Sequence, residues 1–346
     1  MSQNDKILLI DSMNMYIRSF AAINTSSEAG NHTGGIFGMI QSVKYIIETF
    51  RPTMVIFCWE GKNSAKKRRK ILESYKSGRT VKKSLNRTFE WSSPEEEKIA
   101  FKSELLRIKE YLSVMPFYEV EIENLEADDC IAYISNYLFK ENEKIIVSSD
   151  KDYFQLINDK ISIFRPVKKE LVTKEIMLNE YKISPQNWII SKCLTGDDSD
   201  EVPGVILTNK FSEKRQKNIP RGMGIPTVTK AFPFLSEEKQ YSIIDILDFA
   251  KKNKADGNFK HYEAILEQKD LLEKNYQVMQ LMTHDMNLQA IEKIKNIFTL
   301  QRPQFKPFQL RLMFAADNSY YQLKGFNEWV RIMMSLNFKE SNIDSI

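Results

Sequence analysis

Acidic side chains recur along the chain at points where short apolar runs end. They close or follow the runs KILLID, TMVIFCW and KIIVSS, and they cluster again in LEADDCIAYI and LTGDDSDEVPGV. The acids at these points are Asp11, Glu60, Glu126, Asp128, Asp129, Asp150, Asp152, Asp197 and Asp200. Crowded carboxylates raise one another's pKa unless a cation neutralises them, and Mg²⁺ and Mn²⁺ prefer such hard oxygen donors. The residue types therefore favour divalent-cation chemistry, in which paired ions activate water against a phosphodiester.

Each acidic group also has a structural interpretation when it is considered alone. A carboxylate just after a strand often caps the next helix, because its oxygens accept the unpaired N–H groups of the first turn. This alternative stays open for Asp150 and Asp197, and GDDSD could be a polar turn. The three cysteines and three histidines show no zinc-ligand spacing, so a metal would be held by oxygen.

The elements that must position these acids follow from hydrophobic periodicity. Buried strands are predicted at 6–11, 53–59 and 144–149, with short strands at 161–164 and 170–173. Helices are predicted at 36–50, 95–112 and 126–139, and mostly helical chain follows residue 174, with a helix start at Ser184-Pro185 and core packing at 326–336. Strands alternating with helices predict an α/β fold whose mainly parallel sheet is flanked by helices. Ligands in such sheets bind beyond the carboxyl ends of the strands, where these acids lie.

Charge is unevenly distributed although the net charge is only +4. Residues 62–87 contain eleven Lys and Arg against one acid, Glu73, which indicates contact with a polyanion. The alternative is a solvated, partly disordered loop. No apolar stretch approaches membrane-spanning length, so we expect a cytoplasmic protein without a membrane partner, and nothing indicates more than a monomer.

Several motifs together resemble the flap endonuclease and 5′→3′ exonuclease family. They are LLIDSMNMYIRSF, the EGKN segment followed by ESYKSGR, LEADDCIAYI, VSSDKDYFQLI and LTGDDSDEVPGV, in the family's order and approximate spacing. That family includes the nuclease domain of bacterial DNA polymerase I and free-standing bacteriophage enzymes. The resemblance covers about residues 6–231, and it implies a PIN-like α/β fold.

The resemblance also implies the chemistry of the site. One metal ion, Mg²⁺ or Mn²⁺, would be held by Asp11, Glu60, Glu126, Asp128 and Asp150, partly through water. A second ion would be held by acids from Asp129, Asp152, Asp197 and Asp200. The reaction would be hydrolysis of a phosphodiester near a 5′ end, on duplex, nicked or flapped DNA and on RNA paired to DNA. Replication proteins, such as a single-strand-binding protein or a clamp, are expected partners.

For the basic segment, the resemblance implies an arch or clamp over the 5′ single strand. Tyr75, Lys76 and Arg79 match the family's YKxxR pattern, which implies base stacking by Tyr75 and phosphate contacts by the two cations. Lys82 and Lys83 would contribute further contacts, whereas Arg18 would meet a phosphate or form a surface salt bridge. The expected organisation is an α/β nuclease domain at 1–180, with the arch at 62–100. A helical region at 181–346 would carry a modified helix–hairpin–helix-like DNA-binding element at about 196–235.

The chain departs from the family pattern at two places. Glu60 stands where the family has Asp after the second strand, so its direct ligation of a metal is in doubt while activity is expected to persist. An insertion at 206–221, with five basic residues and one acid, separates PGV from MGIPTVTKAF. It resembles the corresponding region of T-even-type phage ribonuclease H, which makes a phage-type enzyme the nearest expected subgroup. A monovalent-ion site is therefore not expected, whereas contact with duplex phosphates is.

Two other functional classes compete with a metal-dependent 5′ nuclease. A catalytically silent DNA-binding relative would recognise junctions without cutting them, but it gains nothing from negative charge near phosphate. A phosphoryl-accepting receiver domain also groups acids with Mg²⁺ at strand ends. It leaves the basic segment and the C-terminal part of the chain unexplained.

Overall fold

The computed structural model describes residues 6–78, 84–212, 217–254, 261–282, 286–317, 326–334 and 336, with backbone alone at 208–212 and 217–220. The strands are β1 (Lys6–Asp11), β2 (Met54–Trp59), β3 (Tyr118–Glu121), β4 (Glu143–Val147), β5 (Ile161–Arg165), β6 (Glu170–Val172), β7 (Ile206–Ser212) and β8 (Lys217–Gly222). The first seven helices are α1 (Ser12–Ala22), α2 (Gly34–Phe50), α3 (Lys66–Ile71), α4 (Pro94–Ser113), α5 (Ala127–Tyr133), α6 (Lys174–Ile176) and α7 (Trp188–Thr195). The others are α8 (Ile225–Ala231), α9 (Ile243–Lys254), α10 (Tyr262–Glu267), α11 (Lys269–Met279), α12 (Leu288–Leu300), α13 (Pro307–Ala316) and α14 (Phe326–Met334).

A six-stranded sheet in the order β3-β2-β1-β4-β5-β6 forms the centre of the molecule. Its first five strands are parallel, and β6 alone runs antiparallel, beside β5. The register pairs Asp11 with Cys58, and Ile10 with Val147. The predicted α/β fold with a mainly parallel sheet is confirmed, although the short β3 has no counterpart among the predicted strands. Because β1, β2 and β4 are parallel, the acids that follow them meet at one edge.

Helices cover both faces of the sheet because successive side chains of a buried strand point to opposite sides. Ile7 and Leu9 belong to a core shared with α5, α7 and the helices up to α12. Leu8 and Ile10 belong to a second core shared with α1, α2 and α4, which also contains Trp329 from α14. Core packing of the C-terminal segment is thereby confirmed. Both cores include residues from either side of position 180, so the change from α/β to helical chain there does not interrupt the packing.

The insertion forms an antiparallel ribbon, β7–β8, within a part of the chain that was predicted to be mostly helical. The ribbon lies between α7 and α8 in sequence. The side chain of Gln268 holds its base, because it accepts from the N–H of Ile206 at 3.0 Å and donates to the Ile206 carbonyl at 2.9 Å. The residue pattern gave no signal for this hairpin, because polar and charged residues occupy the place where a glycine turn would mark one.

The described parts of the basic segment are anchored at a few buried residues, while most of the basic side chains, including those of Lys66 and Lys70, are exposed. Helix α3 follows β2, and the buried Arg68 anchors it. Beyond residues 79–83, fully buried Asn86 donates to the carbonyls of Phe20 and Ile23. Arg79, Lys82 and Lys83 lie outside the described residues. None of the described helices combines the length and apolar character needed to cross a membrane.

Candidate active site

Asp11, Asp128 and Asp150 approach one another at the carboxyl edge of the sheet. Asp11 is 6% exposed; its Oδ1 accepts from the N–H of Asn14 at 3.1 Å, and its Oδ2 accepts from the Ser148 hydroxyl at 2.9 Å. Asp128, in the first turn of α5, accepts from the Tyr153 hydroxyl at 2.6 Å. Ser148 and Tyr153 therefore fix two of the acids without neutralising them.

The electrostatics of these three acids show that they lack sufficient cationic compensation. Burial raises the pKa of Asp11 to about 6, and the charges of Asp150 and Glu60 add to the shift. The pKa of Asp128 is raised well above its ordinary value by removal from water, with Lys76 opposing and Asp150, Glu126 and Asp11 reinforcing. Removal from water also raises the pKa of Asp150. Carboxylates so placed are stabilised by an added cation.

A second acidic group adjoins the first through Asp150, whose pKa is also raised by the charges of Asp200 and Asp197. Burial, followed by the charge of Asp150, raises the pKa of Asp152 to about 7. Lys192 enters this group from α7: its Nζ lies 3.0 Å from Asp152 Oδ1 and also contacts Asp197. Burial of Asp197 is outweighed by Lys192 and Ser199, which lower its pKa. In the second acidic group, Lys192 therefore supplies a positive charge that partly neutralises Asp152 and Asp197.

Glu126 is the most fully compensated acid of the site. It is 1% exposed, and it accepts from Arg68, from the Tyr75 hydroxyl at 2.8 Å and from Lys76 Nζ at 3.0 Å. Burial alone would raise its pKa, but Arg68 and Lys76 reverse that effect and lower it. Arg68, Tyr75 and Lys76, all within the basic segment 62–87, thus stabilise Glu126 as a carboxylate.

Asp129 and Glu60 each have a local side-chain partner. Asp129 is grouped with Arg68, whose Nη2 lies 2.7 Å from its Oδ1, and it also accepts from the N–H of Glu126. Arg68 thus compensates Asp129 in this structure, and the assignment of Asp129 to the second ion, with Asp152 and Asp197, stays a prediction. Glu60 is exposed at the same edge as Asp11 and accepts from the Ser64 hydroxyl at 3.1 Å, and its contact with a metal through water stays a prediction.

The interpretation of these acids as local caps is compatible with their interpretation as candidate metal ligands. Asp11 caps α1, Asp150 accepts from the N–H of Asp152 at 2.9 Å, and Asp197 accepts from the N–H of Ser199 at 2.7 Å. The second oxygen of Asp11 accepts from Ser148, and that of Asp197 contacts Lys192. Local turn chemistry therefore orients the same side chains that the sheet brings together.

The base stacking predicted for Tyr75 does not fit the structure, whereas the phosphate contact predicted for Lys76 stays a prediction. The Tyr75 ring is 3% exposed, with Lys76 Nζ 5.1 Å and the Arg68 guanidinium 5.9 Å from its centre. A ring enclosed in this way does not offer a face for base stacking, so its hydroxyl contact with Glu126 is its observed role. Lys76 is 7% exposed and lies among the acids. Arg18 is exposed and donates to Asn14, which leaves its predicted role a prediction.

Sequence reasoning missed Arg68 and Lys192. Arg68 is one of eleven basic residues in its segment, and no local pattern distinguishes it. Lys192 did carry a signal, because it is the only charge in the apolar helix WIISKCLT, and a buried lysine there requires acidic partners.

The donor set fits a hard divalent cation, since every candidate ligand is a carboxylate. Within the described residues, however, no three Asp, Glu, His or Cys side chains already converge as a ready ligand set. The cations of Arg68, Lys76 and Lys192 lie among the acids instead. The site is therefore rich in oxygen ligands, and these cations compensate Glu126 and Asp197 but not Asp11, Asp128 and Asp150.

Without divalent ions, the free energy of unfolding should fall as pH rises from about 4 to about 6 because of Asp11. Its folded pKa of about 6 lies above the ordinary 3.8, so the folded protein keeps a proton that the unfolded chain has lost. That contribution is fully present below the unfolded pKa and is lost as pH rises through 6, on the order of 3 kcal/mol. Urea denaturation in EDTA would measure it, with Asp11→Asn as the control. A difference between the two proteins that is constant with pH would contradict this assignment.

Residues 6–182 match the family model described as "5′-3′ exonuclease, N-terminal resolvase-like domain". The chain belongs to this 5′-3′ exonuclease family. Curated members include the 5′-3′ exonuclease of Bacillus subtilis, 30% identical over 58% of this chain and 66% of that protein. The 5′-3′ exonuclease of Buchnera aphidicola subsp. Schizaphis graminum is 31% identical, over 62% of this chain and 71% of the Buchnera protein. The chain thus spans about two thirds of the length of these relatives, and it is a member of a family of nucleases.

Solved structures support the same fold. A zinc-bound 5′-exonuclease of bacteriophage T5 has a TM-score of 0.65 and 19% identity, covering 84% of this chain and 98% of that one. A T5 flap endonuclease in complex with DNA and metal ions has a TM-score of 0.61 and 17% identity, covering 92% of this chain and all of that one. The family-model match confirms the predicted family, while the phage ribonuclease H subgroup stays a prediction.

Proposed function

We propose that this member of the family hydrolyses phosphodiesters near 5′ ends by a mechanism that depends on two divalent cations. The observation that carries the proposal is that Asp11, Asp128 and Asp150 lie at one sheet edge, where the Tyr153 hydroxyl contacts both Asp11 and Asp128 and each acid has a raised pKa. Such a group gains most from a bound divalent cation. The family membership and the metal-bound T5 relatives support the same reading.

We assign the acids of the site to two ion positions. Asp11, Asp128 and Asp150 would hold the first ion, with Glu60 reaching it through water, and Asp152, Asp197 and Asp200 would hold the second. Bound there, Mg²⁺ or Mn²⁺ would lower the pKa of a water and offset charge on the scissile phosphate. Ser148 and Tyr153 orient the first acids. Lys76 is a cation close enough to Glu126 and Asp200 to face a phosphate at this edge.

The substrate we propose is DNA with a 5′ end, nick or flap, together with RNA paired to DNA. An open groove of about 650 Å³ beside the acids supports this, since Glu60, Lys66, Lys70 and Lys76 are among its lining residues. Positive charge along a groove collects a phosphate backbone, and a neighbouring acidic centre then acts on it. Replication-protein partners, a monomeric state and a cytoplasmic location stay predictions.

The direct test is cleavage of an end-labelled duplex carrying a 5′ flap, with Mg²⁺ or with EDTA. We expect release of 5′ fragments only with the divalent ion, and parallel reactions with an RNA–DNA hybrid would show whether the ribonuclease activity is present. Intact binding without any cutting would favour the silent DNA-binding relative instead. Cutting that is undiminished in EDTA would overturn the metal dependence.

The exposed lysines of α3 should account for part of the electrostatic binding. Replacing Lys66 and Lys70 with Ala removes two of the cations that line the groove. We expect weaker DNA binding and a salt slope reduced by roughly 1.4–1.8 units, since each phosphate contact contributes about 0.7–0.9. Fluorescence anisotropy across a salt series would measure both quantities.

A matched control is available at the opposite edge of the sheet. Lys6 begins β1 and Lys160 directly precedes β5, so both lie at the amino ends of strands, away from the acids. Replacing this pair with Ala removes the same charge and should leave most of the slope unchanged. Equal changes for the two pairs would show that α3 has no special part in binding.

A further inference from the structure

The turn that contains Asp200 and Glu201 is hydrogen-bonded to residues 74–78, which include Tyr75 and Lys76. The Lys76 N–H donates to the Asp200 carbonyl at 2.9 Å, and the Ser74 hydroxyl donates to the Glu201 carbonyl at 3.0 Å. The Glu201 carboxylate adds side-chain contacts, because its Oε2 accepts from the Ser77 hydroxyl at 2.9 Å and from the Gly78 N–H at 2.7 Å. Residues 74–78 are thus attached to the turn at four points.

Backbone conformation shows that this attachment is specific. Lys76 has a φ of 51° and Glu201 a φ of 56°, both in the left-handed region that non-glycine residues rarely occupy. The surrounding contacts must hold both residues there. On the opposite side, Arg69 donates to the carbonyls of Tyr75 at 3.1 Å and Lys76 at 3.0 Å. The backbone that directs Tyr75 and Lys76 toward Glu126 is therefore fixed from two sides.

The position of Gly78 shows how closely the two segments meet. A Cβ at this residue would lie 2.1 Å from Glu201 Oε1. An alanine there would force the Glu201 carboxylate aside while leaving its charge in the protein. The contact can therefore be broken from either partner.

We propose that Glu201 is a positioning residue that couples the second acidic group to the base of the basic segment and so sets where Lys76 stands. The inference deepens the proposed function and rests on it. Glu201 is itself an acid beside a phosphate-binding edge, where its charge would oppose the substrate unless it served another purpose. The Ser77 hydroxyl and the Gly78 N–H, which both donate to the Glu201 carboxylate, supply that purpose.

The kinetic test compares Glu201→Ala with Glu201→Gln, alone and in a Lys76→Ala background. Glu201→Ala should lower kcat on the flapped duplex by about 10- to 100-fold, because a misplaced Lys76 no longer faces the reacting phosphate. Glu201→Gln keeps an oxygen acceptor and should retain most of the activity. In the Lys76→Ala background the loss caused by Glu201→Ala should disappear, since the residue acts through Lys76. An equal loss in both backgrounds would overturn the proposal.

A second measurement reads the attachment without catalysis. Hydrogen exchange in metal-free protein should become faster at the amides of Lys76 and Gly78 in Glu201→Ala and in Gly78→Ala. Glu238→Ala, which removes an exposed partner of Lys174, should leave these amides unchanged. If wild type fails to cut DNA while these amides respond, the proposed function fails and the attachment stands. Unchanged exchange with normal cutting would refute the attachment alone.

Discussion

Replacing Asp128 and Asp150 together with Asn should reduce the cleavage rate by about 10³-fold or more. The two acids share one edge with Asp11, and their raised pKa values show that each adds to an uncompensated charge. Loss of both removes the carboxylates that would hold the first cation, and the charge stabilisation it supplies is worth several kcal/mol. Single-turnover cleavage of the flapped duplex in Mg²⁺ would measure the loss.

Two accompanying results distinguish loss of chemistry from loss of the fold. DNA affinity in EDTA should be unchanged or tighter, because two negative charges near the phosphate path have been removed. The metal-free protein should also unfold at a higher temperature than wild type, since mutual repulsion among the acids is relieved. Asp248→Asn, at an exposed acid paired with Lys251, is the matched control and should change neither quantity. Undiminished cutting by the double variant would refute the assignment of the site.

Arg68→Met should lower the free energy of unfolding by about 3–5 kcal/mol. The guanidinium contacts Glu126 and Asp129, and its Nε donates to the Val278 carbonyl at 2.8 Å. Removing it leaves Glu126, which is 1% exposed, with Lys76 as its remaining cationic contact in the described structure. It also removes the hydrogen bond from α3 to α11. Urea denaturation in EDTA would provide the value.

Comparison with other substitutions tests the physical reason for that loss. Arg107→Met removes an ion pair with Asp317 that is partly exposed, and it should cost about 1 kcal/mol or less. Adding Glu126→Gln to Arg68→Met should recover part of the stability, because the uncompensated buried charge is then absent. A loss for Arg68→Met no larger than that for Arg107→Met would show that Arg68 is a surface contact.

Tyr75, for which base stacking was predicted, shows that a sequence motif does not determine the exposure of a side chain. The YKxxR pattern placed this residue in the correct neighbourhood, but only the fold shows that its ring is enclosed by Arg68 and Lys76. A motif reports which residue types lie near one another along the chain. It does not report which way a ring faces after the chain has folded.

The sequence alone determined which acids lie at the ends of strands. Hydrophobic runs specify strands, and a carboxylate directly after a strand lies at its carboxyl end, so Asp11, Glu60 and Asp150 could be placed at one edge from periodicity alone. Tertiary structure decided which cations neutralise which acids. Arg68 lies 58 residues from Glu126 and 210 from Val278 along the chain, and no local pattern encodes contacts of that separation. Packing brings those partners together because burial of a charged group requires its complement, wherever in the sequence that complement lies.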